Sequence, residues 1–337
     1  MNKKELIIIG GGLSGLYLTT LLQNKFNVTL LEARQRLGGR VLTLEGHDMG
    51  PSWVWQHQSH ILALIQELGL ELFGQHTQGD ALYDAPEGVQ RFQNPPSGPS
   101  ARMQGGLQQL IQALAKQIDS AQIILDQEVG HIEEIGARLR LSTQDKSYEA
   151  DYIISTLPPR VAAQNITYQP PLPQVVETTL TNTPTWMGHT AKCVMTFERP
   201  FWREADLSGF CFSHLGPLGE IHDATTAQEP ALFGFLHQKA NLQHFEAELK
   251  AQLQRLFGDN AKQLKKVHFV DWREEPHTAT AQDKKGLTTH PNYGLNLTHF
   301  NHHLIFSGTE SAFDNGGYLE GAVIAAKEVA ERLLNDK

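Results

Sequence analysis

Gly10, Gly12 and Gly15 directly follow the β-branched run Ile7-Ile8-Ile9, and residues of these types in this order can hold a pyrophosphate. Without a Cβ, Gly10 can make the tight turn, Gly12 lets a phosphate approach the backbone, and Gly15 lets the next helix pack on the strand. A helix expected from Leu13 to about Asn24 turns its unpaired N–H groups and positive dipole end toward that phosphate. A second strand, Val28 to Leu31, ends at Glu32, 22 residues after Gly10, where a carboxylate can hold a pair of ribose hydroxyls. A glycine triplet alone is weak. Strand, triplet, helix, strand and acid in register make a dinucleotide site.

These residues must be positioned by a strand buried on both faces, which is what the isoleucine run specifies. Further along, Ser59 can cap a helix whose apolar residues, Ile61, Leu62, Leu64, Ile65 and Leu68, recur at helical spacing up to Gly69. Residues 84–100, with Pro86, Pro95, Pro96 and Pro99, read as a connector. Gly105 and Gly106 precede an amphipathic helix through Leu107, Leu110, Ile111 and Leu114. Strand-like runs follow at Gln122 to Leu125 with Val129 to Ile135, at Ala137 to Ser142 and at Ser147 to Ile154, where Pro158 and Pro159 close the last. Residues 185–275 hold Trp186, Trp202 and Trp272, strand-like runs at Lys192 to Phe197 and Ala231 to His237, and a helix near Phe245 to Leu256, the pattern of a mixed sheet with a covering helix. The run Leu304-Ile305-Phe306 and a last helix from Tyr318 to Leu334 then return to the first lobe. The predicted fold is α/β: a discontinuous Rossmann-like nucleotide lobe (1–80, 101–180 and 283–337) with an inserted mixed-sheet α+β lobe (81–100 and 181–282).

The bulk properties exclude several classes. A chain of 337 residues with 40% hydrophobic and 19% charged residues can bury a large core as a globular protein. A net charge of −9 disfavours nucleic acid and anionic membranes as partners. Two cysteines without a Cys-x-x-Cys pair exclude a disulfide scaffold. No apolar run is long enough for a signal peptide or a membrane span, so a cytoplasmic location is expected. The sixteen histidines, His57 and His60 or His299, His302 and His303 among them, lack cysteine or acidic companions at ligand spacing, so no metal is expected.

Four further segments resemble the flavin-containing amine oxidases, and they occur in that family's order. They are Leu37-Gly38-Gly39-Arg40, Gly50-Pro51-Ser52-Trp53, Arg102-Met103-Gln104-Gly105-Gly106-Leu107, and Phe306-Ser307-Gly308-Thr309-Glu310 with Gly317-Tyr318-Leu319-Glu320-Gly321-Ala322. The resemblance implies FAD as cofactor. Its binding residues would be Gly10, Gly12, Leu13, Ser14, Gly15, Glu32, Ala33, Arg34, Gly39 and Arg40 at the nucleotide end. Gly50, Pro51, Ser52, Trp53, Val129, Trp272, Gly308, Thr309, Glu310, Gly317, Tyr318 and Leu319 would complete the set. A helix starting after Gly316 and Gly317 can aim N–H groups at the flavin pyrimidine edge, where negative charge builds on reduction.

Met187 to Met195 with Pro200-Phe201-Trp202 resembles the family's strand bearing a lysine that reaches flavin N5 through a water. Lys192 is that lysine, and Tyr318 the ring beside the amine; Cys193 should point to the opposite face. Ala281 stands where some relatives bond the flavin through cysteine, so FAD is expected to be non-covalent. Gln282 stands where a two-ring cage has its second tyrosine. The segment 84–100 replaces a helical substrate subdomain, so the site should be more open or be completed by a partner chain, for instance in a homodimer. His222-Asp223 resembles a structural turn in the family's second lobe, which could border the substrate cavity. The implied reaction is hydride transfer from the α-carbon of an amine, giving an imine, with dioxygen or another acceptor reoxidising the flavin. The alternatives are a carbon–carbon desaturase or porphyrinogen-type oxidase on the same lobe, or a flavin-binding protein without turnover.

Overall fold

Leu6 and Ile8 face one way from the first strand, Glu5–Ile9, and Ile7 and Ile9 the other, and each pair enters a separate apolar core. Successive strand side chains alternate faces, so an unbroken aliphatic run suits a strand covered on both. The computed structural model describes residues 3–94, 98–118, 122–238, 240 and 242–335; Pro95, Pro96 and Lys337 lie outside them. Among the described residues, Glu5–Ile9 sits inside a six-stranded sheet in the order Gln122–Ile124, Asn27–Leu31, Glu5–Ile9, Tyr152–Ser155, Leu304–Phe306 and Thr298–His299. All pairs are parallel except the last. Helices Leu13–Leu22, Ser59–Glu67, Gln108–Lys116 and Leu319–Asn335 cover the Leu6 face. A four-stranded sheet carrying Ile132, Leu139, Leu141 and Ala150 covers the Ile7 face.

The run Ser147 to Ile154 is two strands, not one. Ser147–Ala150 belongs to the four-stranded sheet and Tyr152–Ser155 to the six-stranded sheet. The chain changes sheets at Asp151, whose carboxylate accepts from Glu5 N at 2.8 Å while its own N–H donates to Glu5 O at 2.9 Å. One charged residue satisfying the backbone at the crossing leaves no break in the apolar pattern to announce it.

The second large sheet has seven strands, ordered Leu264–Asp271, Ala191–Phe197, Ala231–Leu236, Leu218–Asp223, Leu207–Ser213, Asp80–Ala85 and Gly88–Phe92. Helix Phe245–Phe257 covers one face through Leu249, Leu253 and Leu256. Segment 84–100 is more than a connector, because Asp80–Ala85 and Gly88–Phe92 pair as an antiparallel hairpin at this sheet's edge. Gly88, with φ 129°, supplies the backbone twist that closes its turn.

Ser59 does not cap its helix. It lies inside the first turn of Ser59–Glu67, where the preceding Gln58 makes no side-chain cap. The first-turn N–H groups of His60 and Ile61 donate instead to the buried carboxylate of Glu320, at 3.0 and 2.7 Å. A carboxylate on two N-terminal N–H groups is a favourable use of the helix dipole. Glu320→Ala should therefore cost about 1–3 kcal/mol, read as a lower urea midpoint with unchanged m-value. An unchanged midpoint would show that water replaces the carboxylate without loss.

Candidate active site

The turn after the first strand is built as its glycines require. Gly10 has φ 107°, and a Cβ there would lie 2.5 Å from Thr156 Oγ1. A Cβ on Gly15 would lie 2.0 Å from Gly10 O, so the first helix can seat only with glycine at that position. A Cβ on Gly12 would meet nothing nearer than Gly38 O at 3.9 Å, so the backbone there is open to a ligand. Glu32 is buried at the end of the second strand, and Gly11 N and Arg34 N donate to its two oxygens at 2.7 and 2.9 Å. The oxygen that accepts from Arg34 N also takes Arg34 Nη1 at 3.4 Å, while the one bonded to Gly11 N keeps accepting capacity for a further donor. Arg34 ties this end down by donating to Glu275 and to Thr278 Oγ1.

From this turn one cavity of about 360 Å3 runs between the two large sheets. Gly10, Gly12, Leu13, Ser14, Glu32 and Arg34 line its first part, with Gly39 and Arg40 beside them. Gly50, Pro51, Ser52, Trp53, Trp272 and Thr309 follow, and Lys192, Gly317, Tyr318 and Leu319 line its far part. Residues as distant as Gly10 and Leu319 thus share one wall.

The remaining expected residues stand elsewhere. Gly15 packs the helix, and Val129 is buried in the core beneath the Ile7 face. Ala33 and Gly308 are not on the cavity wall, nor is Glu310. Glu310 is buried and accepts two hydrogen bonds from Arg40, at 2.7 and 3.2 Å, which fixes that guanidinium at the wall. Thr309 Oγ1 donates to Tyr318 O at 2.7 Å and locks the loop that carries the last helix.

Lys192 is fully buried on an interior strand, between Val270 and Phe235. Its Nζ donates to Gly50 O at 2.9 Å and Ser52 Oγ at 2.5 Å, and lies 4.3 Å from the centre of the Phe233 ring. Burial lowers its pKa to about 7; Asp48 opposes the shift and Arg102 adds to it. Cys193 points away into the helix-covered core, as strand alternation requires.

The rings around Tyr318 were not legible as a group. Trp55 meets it edge-on at 5.8 Å, Trp186 lies at 6.4 Å, and His290 stacks on it at 5.2 Å. Trp55 had a signal: it is two residues from Trp53, hence on the same face of an extended segment, with Val54 buried between them. Trp186, Phe235 and Thr156 carried none. Gln282 and Ala281 are exposed and not on the wall. His222 is also off the wall; it packs on Trp53 and Phe233, while Asp223 is a buried hub accepting from Trp202 Nε1 and Arg203. No group of three or more potential metal-ligating side chains gathers among the described residues.

The profile of the family described as flavin containing amine oxidoreductase matches residues 13–101 and 89–334. The chain belongs to this family. Flavin-containing amine oxidase B of Bos taurus is 26% identical over 458 aligned positions, covering 99% of this chain and 86% of the relative. Well over a hundred positions of that alignment therefore have no counterpart in 337 residues. Cyclohexylamine oxidase from Brevibacterium oxydans IH-35A superposes with a TM-score of 0.82 at 20% identity, covering 99% of this chain and 100% of its own. Putrescine oxidase bound to putrescine does so with 0.81 at 19%, covering 98% and 99%. At such identities the structural likeness shows the fold.

The protein is thus an FAD-dependent oxidoreductase of the amine oxidase family, and its cavity fits that cofactor. The glycine turn leaves open backbone where a diphosphate needs it, and the buried Glu32 has accepting capacity to spare. A Cβ on Gly50 would lie 2.0 Å from Arg40 O, so the Gly50–Trp53 segment can hug the wall only because position 50 is glycine. No helix among the described residues is long and apolar enough to cross a membrane.

Proposed function

We propose that this flavoenzyme removes a hydride from the carbon bearing a neutral amine nitrogen, with FAD held non-covalently and dioxygen or another acceptor taking the electrons onward. The observation that carries the reading is Lys192, a buried amine aimed into the cavity from an interior strand and fixed by Gly50 O and Ser52 Oγ. Bound FAD supplies the two-electron acceptor, which no side chain can. Gly12, Leu13 and Ser14 would hold its pyrophosphate and Glu32 its ribose, while Gly317, Tyr318 and Leu319 would bring the start of the last helix to the ring. Both cysteines are buried and neither lines the cavity, and position 281 is alanine, which supports a non-covalent cofactor.

The side chains then do three things. Trp53, Trp55 and Tyr318 exclude water from the far part of the cavity, and burial pushes the Tyr318 phenol up, so it stays neutral. Lys192, near the balance point between its two forms at neutral pH, can hold a water or exchange a proton at Nζ. The walls there carry no carboxylate, so the cavity favours the neutral amine. Turnover per encounter should therefore rise with pH toward the substrate's own pKa, with a lower inflection near 7 from Lys192. The reading is tested by anaerobic addition of amines to the yellow holoenzyme, where bleaching by an amine supports it. Flavin that dithionite reduces and no amine does would replace it with a desaturase or a non-catalytic binder.

A further inference from the structure

The far part of the cavity differs from the nucleotide part in one respect that decides what can enter it. Among the described residues lining the whole cavity, Glu32 is the only carboxylate, and it sits at the nucleotide end with Gly11 N and Arg34 N on its oxygens. The far part is aromatic instead. Trp53 and Trp55 are 6.1 Å apart, Trp55 and Tyr318 5.8 Å, and Trp186 and Tyr318 6.4 Å, with Phe235 on the same wall. The one ionisable amine among these rings is Lys192, itself a potential cation. Two of the rings come from extended segment 53–55 and one from the last helix's approach. Trp186 comes from the inserted region, just before the strand that carries Lys192.

We infer that the substrate is a monoamine whose remaining substituents are apolar, aromatic or alicyclic, and that Trp186 is the residue that selects for it against diamines and polyamines. The inference rests on the amine-oxidising reading above. A second ammonium group drawn into this cavity would lose its hydration with no carboxylate to replace it and with Lys192 nearby, and an unpaired buried charge is heavily penalised. An apolar tail entering the same space gains contact with flat aromatic faces. Trp186 is placed to form that contact because it is anchored from behind. Its ring packs on His290 at 4.6 Å, and a Cβ on Gly317 would lie 2.8 Å from Trp186 Cβ, so glycine at 317 is what lets the indole approach Tyr318. The ring missing at position 282 is thereby supplied from another element. Trp186 and Tyr318, with ring centres 6.4 Å apart, stand next to each other on the same wall.

The test is anaerobic reduction of the holoenzyme by benzylamine, cyclohexylamine, 1,4-diaminobutane and spermidine, with the dissociation constant and limiting rate taken from the concentration dependence. The better of the two monoamines should exceed both polycations at least ~100-fold in limiting rate divided by dissociation constant. In Trp186→Ala the dissociation constant for that monoamine should rise about 10-fold or more, with the limiting rate within about 3-fold and FAD content unchanged. Trp186→Phe should recover most of the loss. Reduction by a diamine or polyamine as efficient as by either monoamine would overturn the inference while leaving amine oxidation intact. So would a Trp186→Phe protein that binds full FAD and yet loses rate rather than affinity. Reduction by none of the four, with dithionite still effective, would instead remove the amine reading on which the inference stands.

Discussion

Lys192→Met should give a yellow protein with full FAD content whose reduction by amine, or whose reoxidation, is slowed at least ~100-fold, the usual scale for losing a positioned acid–base group. Methionine keeps the length and apolar stem but cannot donate to Gly50 O or Ser52 Oγ. Stopped-flow traces of the two half-reactions check this, and unchanged rates in both would take Lys192 out of the chemistry. The same variant makes a second prediction, in stability. Burial depresses the folded-state pKa of Lys192 from 10.5 to about 7. Between those values the unfolded chain binds the extra proton, so this group makes stability rise with pH and penalises the fold fully below about 7. The Met variant should therefore be more stable than the parent at pH 7, on the order of 2–4 kcal/mol after allowing for two orphaned acceptors. That advantage should shrink as pH climbs toward 10. A Met variant less stable than the parent at pH 7 would show that the two hydrogen bonds outweigh the desolvation.

Gly15→Ala should yield protein that folds but is purified without colour, with FAD affinity lowered at least ~100-fold. The new methyl carbon would fall 2.0 Å from Gly10 O and 3.2 Å from Gly10 C, both backbone atoms of the phosphate turn. The helix must then move away from the strand, and its N–H groups lose the position from which they reach a phosphate. Gly130→Ala is the control, because a Cβ there meets nothing within 4 Å. It should remain yellow. FAD titration of both proteins, with far-UV circular dichroism to confirm the fold, decides the matter, and a yellow Gly15→Ala protein would contradict the packing described for the turn.

The two variants differ in how far sequence alone could have led to them. Gly10 to Glu32 was legible because its chemistry is local: strand, turn, helix and second strand are consecutive, and each residue's task follows from its neighbours. Lys192 was legible on two grounds, the resemblance of its flanks and strand alternation, which sends Cys193 to the other face. The expected Ser59 cap failed because a capping side chain need not be adjacent. Glu320, 260 positions beyond His60 and 259 beyond Ile61, does the work in space. The undivided run Ser147 to Ile154 failed because a strand crossing between two buried sheets keeps its apolar periodicity through the break.

What the sequence by itself determined is the dinucleotide turn, its acid, the parallel sheet behind it and the lysine strand, all set by residue type at short spacing. Only the tertiary structure decided which rings gather around Tyr318 on the cavity wall. The Gln282 position suggested a cage with one wall, yet Trp55 and Trp186 converge on Tyr318 from segments far apart in the chain. Such convergence depends on how the two sheets lie across the cavity and on a glycine at 317 that admits an indole. Local periodicity encodes which face of an element is buried; it carries no information on which distant element will be packed against that face.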